Sequence, residues 1–78
     1  MTMDATLDVQ GLSCPLPVLK ANKALRGMAP GATLTVLATD PAAVKDFDAF
    51  SRETGHELLS STADGEQFRF VLRRRGGS

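Results

Sequence analysis

The chain has 78 residues, of which 42% are hydrophobic, and its nine basic and nine acidic side chains cancel. A chain of this length buries only about 60% of its unfolded surface, so we expect one domain over residues 1–78 without a closed pocket beside its core. The balanced charge argues against a dedicated nucleic-acid-binding protein. With no evident signal peptide or membrane-spanning stretch and a single cysteine, the sequence predicts a cytoplasmic protein.

The first half of the chain predicts a strand, a helix and a strand. Leu7 and Val9 alternate with polar residues, as in a short strand. Helical spacing runs from Pro15 to about Met28 and gives a core-facing stripe of Val18, Ala21, Leu25 and Met28. Thr33 to Ala38 is mostly apolar and β-branched, which favours a second strand. Because this order forms a right-handed crossover between parallel neighbours, we expect both helices of the fold on one sheet face.

A second helix is predicted after residue 40. Asp40 and Pro41 have the pattern of an N-cap followed by proline, and Gly55 is a C-terminal stop signal. The expected buried stripe of this helix is Val44, Phe47 and Phe50.

A hairpin and a basic tail are predicted to complete the chain. His56 to Thr62 and Gln67 to Arg74 flank the turn signal Asp64-Gly65, with a connection that we expect to exceed two residues. His56 is expected at the surface, and Arg73 to Ser78 is expected to be a frayed tail. The elements together predict an α/β fold of order βαβαββ.

The only cysteine, Cys14, is the principal candidate for chemistry. It lies where the first strand gives way to the first helix, in the run Gly11-Leu12-Ser13-Cys14-Pro15-Leu16-Pro17. Proline is favoured at the first helical position, so Pro15 would make Cys14 the N-cap, close to the free amides of Leu16 and Val18. Those amides would lower the thiol pKa modestly. The same position also suits a small buried thiol, and the local sequence favours neither interpretation.

The flanking residues predict a surface for partner proteins. Leu16 is expected to contact partners, whereas Leu12 is expected to pack on the sheet. Lys20 and Lys23 would steer acidic partners, although basic residues late in a helix also interact with its dipole. Cys14 and His56 alone do not provide a zinc site, so neither a metal nor another cofactor is predicted.

The ordered landmarks of the chain resemble the TusA/SirA family of bacterial sulfur-carrier proteins. The similarity rests on the Cys-Pro-x-Pro motif with Gly11, Pro15 and Pro17 around Cys14, and on landmarks along nearly the whole chain. These landmarks are Leu7-Asp8, Met28, Pro30-Gly31, Asp40-Pro41-Ala42, Asp46, Gly55-His56-Glu57-Leu58 and Phe70-Val71-Leu72-Arg73. The resemblance implies a two-layer α/β sandwich with a four-stranded mixed sheet of order 1-2-4-3.

The resemblance also implies a function for Cys14. In this family the motif cysteine receives sulfane sulfur as a persulfide and passes it on. The implied partners are a sulfur donor, either a cysteine desulfurase or a rhodanese-like protein, and an acceptor relay protein. The pathways served are tRNA 2-thiouridine synthesis, molybdenum-cofactor supply or sulfur oxidation. Leu16 stands where the tRNA-thiolation member has a glutamate, and residues 45–50 look more like members from sulfur oxidisers.

Two other function classes stay open from sequence. One is a non-catalytic interaction or regulatory module, which the family also suggests. The other is a thiol redox sensor or peroxidase, which the absence of a second cysteine and of a nearby arginine or histidine disfavours. The resemblance implies a sulfurtransferase-type carrier without independent turnover, which leaves open whether the chain is an enzyme.

Overall fold

The computed structural model describes residues 4–76 and contains four strands and two helices. These are β1 (Asp4–Asp8), α1 (Leu16–Arg26), β2 (Thr33–Ala38), α2 (Ala43–Thr54), β3 (Glu57–Asp64) and β4 (Gln67–Arg73). The strands form one mixed sheet of order β1-β2-β4-β3, in which β1 and β2 are parallel and β4 is antiparallel to both of its neighbours. The predicted element order and the strand order implied by the resemblance are both confirmed.

The core lies between one face of the sheet and the two helices, as predicted. Alternate residues of β2 are buried on this face: Leu34, Val36 and Ala38. Phe47 of α2 and Phe70 of β4 meet at its centre, with ring centroids 4.6 Å apart. The opposite face carries polar and β-branched side chains, including Thr6, Thr35 and Val71, and no helix within residues 4–76 covers it.

The helices begin later than the sequence predicted. α1 starts at Leu16, and α2 starts at Ala43 because the Asp40 carbonyl and carboxylate hold the preceding residues in a turn. The register of α2 places Ala43 with Phe47 in the core, whereas Val44 is rotated away and is 39% exposed. The prediction of Val44 in the buried stripe was therefore wrong.

Neither α1 nor α2, the two helices of the described residues, has the length and hydrophobicity of a membrane-spanning segment.

The hairpin between β3 and β4 is tighter than predicted. Asp64 pairs with Gln67, so the connection is the two residues Gly65 and Glu66. Gly65 has a positive φ of 63°, which two-residue hairpin turns require. A bulge between Leu58 and Ser60 interrupts the pairing near the start of β3.

Arg74 and Arg75 follow β4 and are hydrogen-bonded, which contradicts the predicted frayed tail for Arg73 to Arg75. The last two residues of that predicted tail, 77–78, lie outside the described part of the chain. The Arg74 N–H donates to the Ala32 carbonyl at 2.9 Å, and the Arg74 carbonyl accepts from the Gly31 N–H at 3.0 Å. The Arg75 N–H donates to Nδ1 of His56 at 3.0 Å. His56 is only 7% exposed, so the expectation that it lies at the surface was also wrong. The segment that covers it comes from 19 residues further along the chain.

Candidate functional site

Cys14 lies at the carboxyl end of β1, in the loop that leads to α1. Its thiol is free and the residue is exposed. The last β1–β2 pair joins Asp8 to Leu37, and the Val9 N–H then donates to the Leu37 carbonyl at 2.8 Å. The chain turns at Gly11, whose φ of 84° is strained for residues with a side chain. The interpretation of Cys14 as a buried thiol does not hold.

Two hydrogen bonds from the β2–α2 loop hold the Cys14 loop in place. The Gly11 N–H donates to the Thr39 hydroxyl at 2.8 Å, and the Cys14 N–H donates to Oδ2 of Asp40 at 2.7 Å. The other oxygen of Asp40 accepts from the Ala42 N–H at 3.0 Å. Asp40 therefore links the backbone at the thiol to the start of α2.

Cys14 is not the N-cap of α1, contrary to the prediction. The first helical residue is Leu16, the N-cap position is occupied by Pro15, and Pro17 lies buried in the first turn. The Leu16 N–H donates to the Ser13 carbonyl at 2.9 Å, so this amide is not available to the sulfur. The Cys14–Pro15 peptide bond is cis.

The charges around the thiol are negative. Hydrogen bonding to the Asp46 carboxylate raises the pKa of Cys14, and partial desolvation and the negative charges of Asp46 and Asp40 raise it further. The predicted lowering of the thiol pKa was therefore wrong in sign. Because α1 begins at Leu16, Cys14 is not at its N-cap position, where the helix amides would favour a thiolate. The carboxylates of Asp46 and Asp40 disfavour the thiolate instead.

The predicted partner-contact residues lie on one face of α1. Leu16 is 42% exposed, and Leu19, which was not predicted to contact partners, is 56% exposed. Lys20 and Lys23 are exposed and line a cleft of ≈ 410 Å³ together with Leu7, Ala24 and Gly27. Leu12 is half-buried against the core. The helix face next to the thiol thus combines exposed leucines with lysines.

A second groove runs between α1 and α2 beside the thiol. It has a volume of ≈ 180 Å³ and is lined by Pro15, Val18, Asp46, Ala49, Phe50 and Glu53. The sequence predicted no contact of Asp46 or Asp40 with the thiol: both are family landmarks, and Asp40 was also expected to cap a helix. The contacts of both with Cys14 join distant parts of the chain, and no local pattern signals them. Leu19 could have been found, since it is three residues after Leu16 on the same helical face.

Metal ligands do not cluster in the described part of the chain. Residues 4–76 contain no group of three or more His, Cys, Asp or Glu side chains arranged to hold a metal ion. Cys14 and His56 lie at opposite ends of the sheet, because Cys14 follows the end of β1 whereas Glu57, next to His56, pairs with Arg73 beside the start of β2.

A family model and two relatives from different bacteria match this chain over most of its length. The family model described as sulfurtransferase TusA matches residues 5–74. The sulfur carrier protein TusA of Allochromatium vinosum is 51% identical over 71 residues, which cover 91% of this chain and 93% of that protein. A putative sulfur carrier protein of Neisseria meningitidis serogroup A is 53% identical over 70 residues, covering 90% of this chain and 95% of the relative.

A solved structure shares the architecture. The crystal structure of the SirA-like protein from Desulfitobacterium hafniense superimposes with a TM-score of 0.78 at 25% sequence identity. The match covers 92% of this chain and 99% of the crystallised one. The two-layer fold with its mixed sheet is therefore shared along nearly the full length of both chains.

Proposed function

Because this chain belongs to the TusA family, we propose that it is a sulfur carrier that accepts sulfane sulfur as a persulfide on Cys14 and passes it to an acceptor protein. The observation that carries this proposal is the exposed thiol on a hydrogen-bonded loop at the carboxyl end of β1. Reactive groups of α/β folds are commonly found at this edge. A single cysteine also means that no second thiol in the chain can expel the bound sulfur as sulfide.

The proposed transfer is a thiol exchange without net oxidation. The Cys14 thiolate attacks the terminal sulfur of the donor persulfide, and a new S–S bond forms at Cys14. The donor S–S bond breaks, and its electron pair leaves with the donor thiolate, which takes up a proton. In the second half-reaction an acceptor thiolate attacks the terminal sulfur of the Cys14 persulfide, and Cys14 leaves as a thiolate.

The raised pKa of Cys14 favours the protonated thiol in the carrier that has no partner bound. The thiolate is the reactive form, so hydrogen bonding to Asp46 keeps the unbound carrier less reactive toward oxidants. A partner that places a cation against Asp46 would remove part of this effect and favour the thiolate. A redox sensor requires the opposite, a thiol with a lowered pKa, so the site disfavours that alternative.

The proposed partners are a donor protein, of the cysteine desulfurase or rhodanese-like class, and an acceptor relay protein. Leu16 at the variable motif position, together with the run of residues 45–50, supports a destination in sulfur oxidation over tRNA thiolation, and molybdenum-cofactor supply is the third candidate. The proposal places this relay in a reducing cytoplasm, in which the free thiol persists. We expect no direct contact with nucleic acid during transfer.

Sulfur loading provides the direct test. The chain is incubated with a cysteine desulfurase and cysteine, and its intact mass is measured with and without a reductant. We expect the parent to gain one sulfur atom that the reductant removes. Cys14→Ser should gain none while keeping its thermal stability, because the cysteine side chain is exposed. Loading of the serine variant, or no loading of the parent by any persulfide, would contradict the proposal.

Docking through the exposed face of α1 has its own test. Lys20→Glu with Lys23→Glu should slow loading by an acidic donor most at low salt, since charges at the rim of an interface act mainly on association. Leu16→Glu should weaken a partner complex by more than about 1 kcal/mol, as expected for a buried apolar anchor. Small-molecule persulfides serve as the control, because loading from them requires no docking. Unchanged rates with every protein donor would exclude this face.

A further inference from the structure

A polar cleft lies at the end of the molecule opposite Cys14, away from the proposed site of sulfur transfer. It has a volume of ≈ 410 Å³ and lies between the C-terminal ends of both helices and the segment after β4. Its lining residues are Asn22, Arg26, Glu53, Thr54, His56, Arg74 and Arg75. Arg73 pairs with Thr33 at the start of β2, which places this segment at the sheet end away from the thiol.

The three arginines of the cleft have no carboxylate partners within residues 4–76. Arg52 and Arg73, by contrast, form ion pairs with Asp48 and Glu57. Glu53 is the only acidic residue in the lining, against Arg26, Arg74 and Arg75. The cleft therefore has a formal excess of positive charge, in a chain whose total charge is balanced.

Two of these arginines are held in place by the fold. Nε of Arg74 donates to the Leu25 carbonyl at 2.7 Å, near the end of α1, which fixes the plane of its guanidinium. Arg75 packs across Gly55, where an added Cβ would lie 3.4 Å from the Arg75 Cδ. Nη1 of Arg74 also donates to the Arg75 carbonyl at 3.4 Å. These two bonds orient Arg74 in a cleft that Arg26 and Arg75 line as well.

His56 adds a donor with a defined tautomer. Its Nδ1 accepts from the Arg75 N–H, so in the neutral ring the proton is on Nε2. Burial lowers the pKa of His56, and the positive charges of Arg74 and Arg75 lower it further. The ring packs on Phe50, with centroids 5.7 Å apart. The cleft thus contains a neutral imidazole donor among guanidinium groups.

We propose that this cleft binds a tetrahedral oxyanion of the phosphate or sulfate class. Guanidinium groups form paired, charge-assisted hydrogen bonds with such anions. Arg26, Arg74 and Arg75 supply the charge, and Asn22 and His56 supply neutral donors. Because the cleft is much larger than one ion, the phosphate group of a nucleotide is as suitable as the free ion.

The single histidine of the chain provides a spectroscopic test. The pKa of His56 is measured by NMR in the Cys14→Ser variant, which excludes any contribution of thiol chemistry. Inorganic phosphate, adenosine monophosphate and chloride are compared at constant ionic strength. A bound anion opposes the positive charges that lower the His56 pKa, so phosphate should raise it relative to chloride. If adenosine monophosphate raises the His56 pKa at lower concentrations than phosphate does, the ligand is a nucleotide. If the two act at equal concentrations, the ligand is the free ion.

Arginine variants complete the test. Arg26→Gln and Arg75→Gln should each weaken phosphate binding by about tenfold or more, as expected for a lost charge-assisted bond, whereas Arg26→Lys should recover part of it. Arg69→Gln is the matched control, since Arg69 is exposed on β4 and outside the cleft. Thermal melts verify that each variant is folded. No phosphate-dependent change in the His56 pKa, or an equal change in Arg26→Gln and Arg69→Gln, would overturn the proposal.

Discussion

Removing the Asp40 carboxylate should loosen the Cys14 loop and destabilise the protein. Asp40→Ala eliminates two hydrogen bonds to a charged acceptor, one from Cys14 at 2.7 Å and one from Ala42 at 3.0 Å. Because Asp40 is partly exposed, we take about 1 kcal/mol for each bond, the typical net value for a protein hydrogen bond and less than the roughly 1.5–3 kcal/mol of bonds to charged groups. The expected loss is about 2 kcal/mol, or roughly 8–16 °C in Tm for a domain of this size. Asp40→Asn keeps one acceptor oxygen and should lose about half as much.

The assay is urea and thermal denaturation, followed by alkylation of Cys14 as a function of pH. The matched control is Asp48→Ala, which removes an exposed carboxylate whose ion pair with Arg52 is worth about 0.3–0.5 kcal/mol. Loss of the Asp40 charge should also move the alkylation midpoint to lower pH, since that charge raises the thiol pKa. If Asp40→Ala melts like Asp48→Ala and its alkylation profile is unchanged, the linking role of Asp40 is refuted.

Two further predictions concern titrating groups. Asp46→Asn should lower the pKa of Cys14 and speed its alkylation at neutral pH, whereas Asp48→Asn should not; equal profiles would contradict the assigned cause. The folded-state pKa of His56 lies below 6.5, the ordinary value for histidine, so the unfolded chain binds more protons as pH falls through that value, and stability should decrease on acidification. Melting at graded pH should show this decrease, and His56→Phe should reduce its slope; an unchanged slope would argue against His56 as the source.

The sequence was sufficient for the architecture because the signals involved are local. The alternation and length of the apolar runs predicted the order βαβαββ, and the strand–helix–strand order predicted the parallel pair that brings Cys14 to its sheet edge. Phe47 and Phe50 were placed correctly in the core for the same reason. The strand order 1-2-4-3 came from the family resemblance.

The electrostatics of the site could not be predicted locally. The sign of the Cys14 pKa shift depends on Asp40 and Asp46, and the fold brings these carboxylates to the thiol from the β2–α2 loop and from α2. The position of His56 depends on the backbone of Arg75, which covers it after β4 has paired. In both cases a contact between distant residues outweighs a local signal. For Cys14 that signal was the preference of proline for the first helical position, and for His56 it was the helix stop at Gly55.

The two bonds that fix the thiol loop span 28 and 26 residues of sequence. Closing loops of this length costs chain entropy, and it is the β1–β2 pairing that brings the two loops together in the folded chain. An incompletely folded or truncated chain therefore keeps the cysteine but lacks the surrounding carboxylates, and its thiol titrates as in any flexible peptide. The raised pKa of Cys14 is therefore a property of the folded chain, and the pH profile of thiol alkylation reports whether the two loops have come together.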